Sequence, residues 1–130
     1  MDATLLSRVQ MAFTLGFHIL FPTLNIGLAV FLALLEGLWL KTGNPAYLQL
    51  YRFWSKLFAL AFGMGVVTGV VLAFEFGTNF DRFAESVGDV LGPLLTYEVL
   101  MAFFLEAGFL PVMLFGWGRV GPRAHFFSTL

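Results

Sequence analysis

The sequence predicts an all-α integral membrane protein with three complete transmembrane helices and the start of a fourth, part of a larger helical bundle. Three observations carry this. Of the 130 residues, 59% are hydrophobic and only 12% charged, where a soluble domain carries about 25% charged residues. Three apolar runs each exceed the roughly 20 residues that a helix needs to cross a bilayer. The residues between them are turn formers and charges, as expected where a chain leaves a membrane.

The first span is expected over residues 9–40, long enough that it must tilt or protrude. Gln10, Thr14, His18, Asn25 and Glu36 fall within about 80° on a helical wheel. That polar stripe should face protein, not lipid. Pro22 lacks a backbone donor and is expected to kink the helix one turn after His18. Residues 41–50 are expected to form a loop around Gly43, Asn44 and Pro45.

The second span is expected over residues 53–76. Ala61, Gly65, Gly69 and Ala73 recur every four residues, a spacing that lets helix backbones approach closely. Gly63-Met64-Gly65 is not a nucleotide motif, because no strand or phosphate-facing loop exists inside a membrane helix. Residues 77–92 are expected to be an acidic loop with Asp81, Arg82, Glu85 and Asp89.

The third span, 91–117, carries Glu98 and Glu106 inside its apolar run. A charge at the helix centre costs about 2.5–3.5 kcal/mol on insertion scales, and intramembrane ionisable residues are functional by default. Eight residues apart, the two acids lie within roughly 80° of each other and about 12 Å apart along the axis. Ala102 stands between them, and Phe109 and Met113 continue that face. Packing against polar groups of neighbouring helices is the plain explanation; a proton path, an ion site or a cofactor pocket is the functional one.

Arg119, Gly121, Pro122 and Arg123 form a basic turn, and residues 124–130 read as the beginning of a fourth span. Lys41 and Arg52 flank the first loop. The positive-inside rule then puts the first and third loops in the cytoplasm and the N-terminus outside. In that topology His18 and Glu98 both lie roughly 10–14 Å below the outer surface, so one site can hold both, with Glu106 deeper. His18 is either a hydrogen-bonded packing residue or a ligand or proton carrier. Haem is a natural candidate, since it takes an axial histidine. His125, beside the basic turn, is expected at the membrane interface.

Several classes are excluded or weakened. With no cysteine, disulfides, thiolate metal sites and cysteine nucleophiles are out. A net charge of −1 gives no basic face for nucleic acid. The 17 phenylalanines suit lipid contact and also suit packing around a large flat cofactor.

The stretches SRVQMAFTLGFH (7–18), FWSK (53–56), GMGVVTG (63–69), FGTN (76–79) and GPLLTYEVLMAFFLE (92–106) together resemble the N-terminal part of subunit I of cytochrome bd, the bacterial and archaeal quinol oxidase. LEGLWLKT (35–42) and YEVLMAFFLEAGFL (97–110) are most similar to its cyanide-insensitive branch. The resemblance covers nearly the whole chain. It implies a respiratory terminal oxidase of the cytoplasmic membrane, multi-pass, that oxidises membrane quinol and reduces dioxygen to water. Haem b and haem d, or haem b in place of haem d, would be its cofactors. Its partners would be subunit II and a small accessory subunit, within the lipid bilayer.

Carried residue by residue, the resemblance makes His18 the axial ligand of a high-spin haem iron. Glu98 becomes a carboxylate beside the haem pair and a candidate ligand, and Glu106 part of the proton path. Arg8 and Lys56 fall in the motif blocks as candidate haem propionate contacts. Where the family commonly has Gln before FGTNW, this sequence has Glu75 before Phe76, and Phe80 in place of the tryptophan. The family subunit is several times longer, so the chain reads as a fragment, inactive alone. The low-spin haem ligands and quinol loop would lie beyond Leu130. The rival classes are a non-catalytic truncated helix bundle and a proton or ion transporter on Glu98 and Glu106; transporters usually show repeats or broken helices, and neither is visible.

Overall fold

The computed structural model describes residues 2–76, 78–79 and 81–130. All regular structure among them is helical: α1 (Ala3–Thr42), α2 (Pro45–Phe76), α3 (Asp81–Phe115) and the short α4 (Pro122–Thr129). The first three are long and apolar enough to cross a membrane. At 1.5 Å per residue the 40 residues of α1 extend about 60 Å, twice the thickness of the hydrocarbon core.

The helices reach beyond the apolar runs, and local chemistry says why. Residues 45–50 are helical, not loop. Gly43 ends α1 with φ 69°, its N–H bonded to the Trp39 carbonyl, the left-handed closure that glycine allows. Asn44 then accepts from the Ala46 N–H at 3.0 Å, as an N-cap does, and Pro45 takes the first helical position, where its missing donor costs nothing. The turn residues are therefore two caps back to back. Likewise residues 81–92 belong to α3. Asp81, Glu85 and Asp89 stand in its first turns, where the partial positive charge of a helix N-terminus favours acids. Gly77 and Phe80, part of the FGTN block and its flank, lie outside the described residues.

α1 continues as helix through Pro22, and Asp2 caps its start by accepting from Thr4 N–H at 3.3 Å. α1 and α2 form an antiparallel hairpin packed along most of its length. The small-residue stripe of α2 faces α1 as its spacing suggests. A Cβ on Gly65 would stand 3.3 Å from Phe21 Cβ, and one on Gly69 would stand 3.2 Å from His18 Cε1. α3 packs on α2 and α4 rather than on α1.

The best-packed core lies at one end, where Leu32, Leu35, Tyr51, Phe58 and Met113 meet. Elsewhere the flanks stay apolar and open, with Phe13 69% and Phe104 74% exposed, as helices that meet lipid or further helices require. The α1–α2 and α3–α4 turns share the core end, so Lys41, Arg119 and Arg123 gather there while Asp81, Glu85 and Asp89 lie at the other. Single cysteines at Asn44→Cys and Glu85→Cys, in a segment that has none of its own, should therefore react with an impermeant maleimide from opposite faces of the membrane. Labelling of both from one face would overturn the arrangement.

Candidate functional site

His18 projects from α1 toward α2, half-buried. Its Nδ1 lies 2.9 Å from Thr68 Oγ1. The Thr68 hydroxyl is already committed as a donor, to the Met64 carbonyl at 2.9 Å and the Gly65 carbonyl at 3.0 Å. When the Thr68 hydrogen stays on one of those carbonyls, Thr68 accepts from His18 Nδ1, and in that tautomer Nε2 keeps a free lone pair. A ligating histidine needs this kind of orientation from a second residue. Pro22 has no N–H to offer the His18 carbonyl four residues earlier, so the backbone there is also released from the helical ladder. Gly69 completes the setting, since any side chain at that position would press on the imidazole.

Glu98 comes to the same place from α3. His18, Gly69, Ala73, Phe76 and Glu98 line one cavity of about 550 Å³. Gly69, Ala73 and Glu98 also line a second, of about 400 Å³, together with Ala102 and Glu106. The two spaces thus share walls at Gly69, Ala73 and Glu98, and they run from the imidazole past one carboxylate to the next. Apart from Thr96, their walls are otherwise apolar. Ala102 is the small residue that leaves room between the two acids. Among the described residues no group of three or more His, Asp or Glu side chains is placed to hold a metal ion.

Arg8 and Lys56 are not brought to this cavity. Arg8 is exposed and lines a polar space of about 600 Å³ with Ser7, Asn79, Asp81 and Arg82. It stands ten residues before His18, about 15 Å along α1. Lys56 is exposed on α2, about 18 Å along the helix from Thr68, and lines none of these spaces. Glu75, the departure from the family pattern, is buried at 3% exposure. Thr14 donates to its Oε1 at 2.8 Å, and its Oε2 has no partner among the described residues.

A second polar cluster went unread in the sequence. His125, expected at the membrane interface, is buried within the protein: it is 1% exposed, beside a fully buried Glu36. Its Nδ1 lies 2.7 Å from Glu36 Oε1. Thr129 donates to Glu36 Oε2 at 2.6 Å, and Tyr51 OH lies 2.9 Å from Thr129 Oγ1. The Trp117 ring covers the imidazole at 3.8 Å between centroids, and Arg52 stands over that indole at 5.4 Å. Two signals pointed here: Glu36 on the polar stripe of α1, and His125 and Thr129 one turn apart on α4.

Known proteins resemble this chain along nearly its full length. It is 43% identical over 128 residues to the cytochrome bd-II ubiquinol oxidase subunit 1 of Escherichia coli (strain K12), covering 98% of this chain and 25% of that one. It is 42% identical over 125 residues to the cytochrome bd ubiquinol oxidase subunit 1 of Bacillus subtilis (strain 168), covering 96% and 27%. The solved bd oxidase from Geobacillus thermodenitrificans superposes with a TM-score of 0.88 at 29% identity, over 98% of this chain and 30% of that one. The chain thus spans about a quarter of the length of the curated relatives it matches. Residues 6–130 match the family described as cytochrome bd terminal oxidase subunit I, and with the helical arrangement in agreement over the same stretch, the chain belongs to that family.

Proposed function

We propose that this chain supplies a high-spin haem ligand and part of the proton route of a membrane quinol oxidase. The full subunit would oxidise quinol and reduce dioxygen to water together with a second subunit. The observation that carries this is the shared cavity of His18 and Glu98, with the His18 ring held through Nδ1 by Thr68 so that Nε2 is the nitrogen not engaged. An imidazole nitrogen without a partner, largely apolar walls and a missing side chain at Gly69 fit a flat prosthetic group, with a carboxylate among the lining residues. Haem, when bound, supplies the iron at which dioxygen is reduced and the electrons pass.

The residues of this chain do the rest. His18 would hold the iron, and Thr68 would keep the ring in the ligating tautomer. Glu98 would stand beside the group as a ligand or as the last proton donor, with Glu106 behind it. The propionate role of Arg8 and Lys56 has less support, because both stand apart from the cavity.

The test is spectroscopic. In the full-length subunit assembled with its partner, Gly69→Leu fills the space beside His18 without replacing a proposed ligand. It is expected to remove one high-spin haem signal and abolish quinol-driven oxygen uptake, leaving the low-spin haem spectrum present. An intact haem complement and normal uptake would show that the group lies elsewhere.

A further inference from the structure

The Glu36–His125 cluster lies at the basic end of the helices, remote from His18, and nothing in the haem-site chemistry uses it. Both oxygens of a carboxylate that is fully buried are taken, one by His125 and one by Thr129. The Thr129 hydroxyl has one hydrogen, and it goes to Glu36, so Tyr51 must donate to Thr129. The donors therefore run in one direction, Tyr51 to Thr129 to Glu36, and reverse together when Glu36 takes a proton. His125 Nε2 is buried and without a partner among the described residues.

The cluster also opens inward. Thr129, Ser128 and Glu106 line a space of about 390 Å³ between α2, α3 and α4. That is room for several waters at about 30 Å³ each, beside the Ser128 and Thr129 hydroxyls and the Glu106 carboxylate, in a space whose other walls are apolar. Glu106 lines the next space with Glu98, and Glu98 the next with His18. Depth follows the same order. Glu36 lies six residues inside the end of α1, about 9 Å, and Glu106 nine residues inside the end of α3, about 14 Å.

We propose that Glu36, His125 and Thr129 form the intake of the proton route, a buried carboxylate–imidazole pair that loads from the basic end and passes protons through the Thr129 hydroxyl to Glu106. Glu36, protonated on Oε2, gives that proton to Thr129 Oγ1. The hydrogen already on Thr129 leaves to water in the cavity, and the carboxylate of Glu106 takes it up. One O–H bond breaks and one forms at each step, no electron moves, and rotation of the Tyr51 and Thr129 hydroxyls restores the chain. The charged and titratable groups that face the pair are Tyr51 on α2, Arg52 through the Trp117 ring, and Glu106 of α3 across the cavity.

This intake rests on the reading of Glu106 as a proton carrier, and the experiment separates the two. In the full-length subunit assembled as holoenzyme, Glu36→Gln and Thr129→Val are expected to keep the haem spectrum and to lower quinol-driven oxygen uptake roughly tenfold or more. The solvent deuterium isotope effect on turnover should rise in both. Thr129→Ser, which keeps the hydroxyl, should recover what Thr129→Val loses. Thr129→Val keeps the side-chain shape, so it decides the matter if Glu36→Gln does not assemble. Wild-type rates in Thr129→Val beside a slow Glu106→Gln overturn the intake and leave Glu106 in its role. A wild-type rate in Glu106→Gln overturns both. Slow turnover of Thr129→Val with an unchanged isotope effect marks a packing role and overturns the intake.

Discussion

Replacing His18 with alanine in the full-length enzyme is expected to remove one high-spin haem from the spectrum and to abolish oxygen reduction, while the low-spin haem stays. The expectation follows from how His18 is held. His18 Nδ1 is held by Thr68 at 2.9 Å, which turns the other side of the ring toward space that Gly69 keeps clear; with the proton on Nδ1, Nε2 is the ligating atom. A packing histidine would show a different pattern. Its whole contribution would be the one hydrogen bond to Thr68, worth about 1 kcal/mol net. His18→Ala and Thr68→Val would then cost the same small amount and neither would change the haem complement. If His18 is a ligand, the two variants part company. His18→Ala loses the haem, and Thr68→Val keeps it with a shifted reduction potential, because the hydrogen bond that tunes the ligand has gone. Equal and mild effects of the two substitutions, with all haems present, would refute ligation.

Much of this arrangement is legible in the chain because a bilayer makes the rules simple. Apolar runs mark the spans, and polar residues inside them mark the faces that turn toward protein. Of the stripe, Thr14, His18, Asn25 and Glu36 turn toward other helices while Gln10 stays exposed, and the Gly65–Gly69 step does admit α1. The equal depths inferred for His18 and Glu98 agree with their common cavity. What escaped the sequence has two physical causes. The first is that helices do not end where hydrocarbon ends. Asp81, Glu85 and Asp89 suggest a loop by composition, yet a helix N-terminus welcomes acids, and α3 begins at Asp81. The second is long-range pairing. His125 sits in a locally basic, turn-rich stretch that suggests an interfacial residue. Its partner Glu36 is 89 positions away, and no local pattern encodes that contact. Only the return of α4 to the α1–α2 hairpin buries the two together.

The Glu106→Gln variant is expected to lower turnover of the full-length enzyme steeply, roughly a hundredfold, with haem content near normal. Oxygen reduction at a buried site consumes protons, and hydrocarbon offers none. Glu106 lines the space it shares with Glu98 on one side and the space it shares with Thr129 on the other. It is thus the titratable group that the two spaces have in common. No hydrogen bond joins the half-buried Glu106 to any described residue, so the choice between a carrier and a clasp falls to substitution. Glutamine separates the two roles. It has nearly the same size and still forms hydrogen bonds, so a clasp would survive the change and turnover would stay near normal. A carrier would not survive it, because an amide neither binds nor releases a proton in the working range. Slow turnover with intact haems and a raised solvent isotope effect would establish the carrier, and normal turnover would remove Glu106 from the proton route.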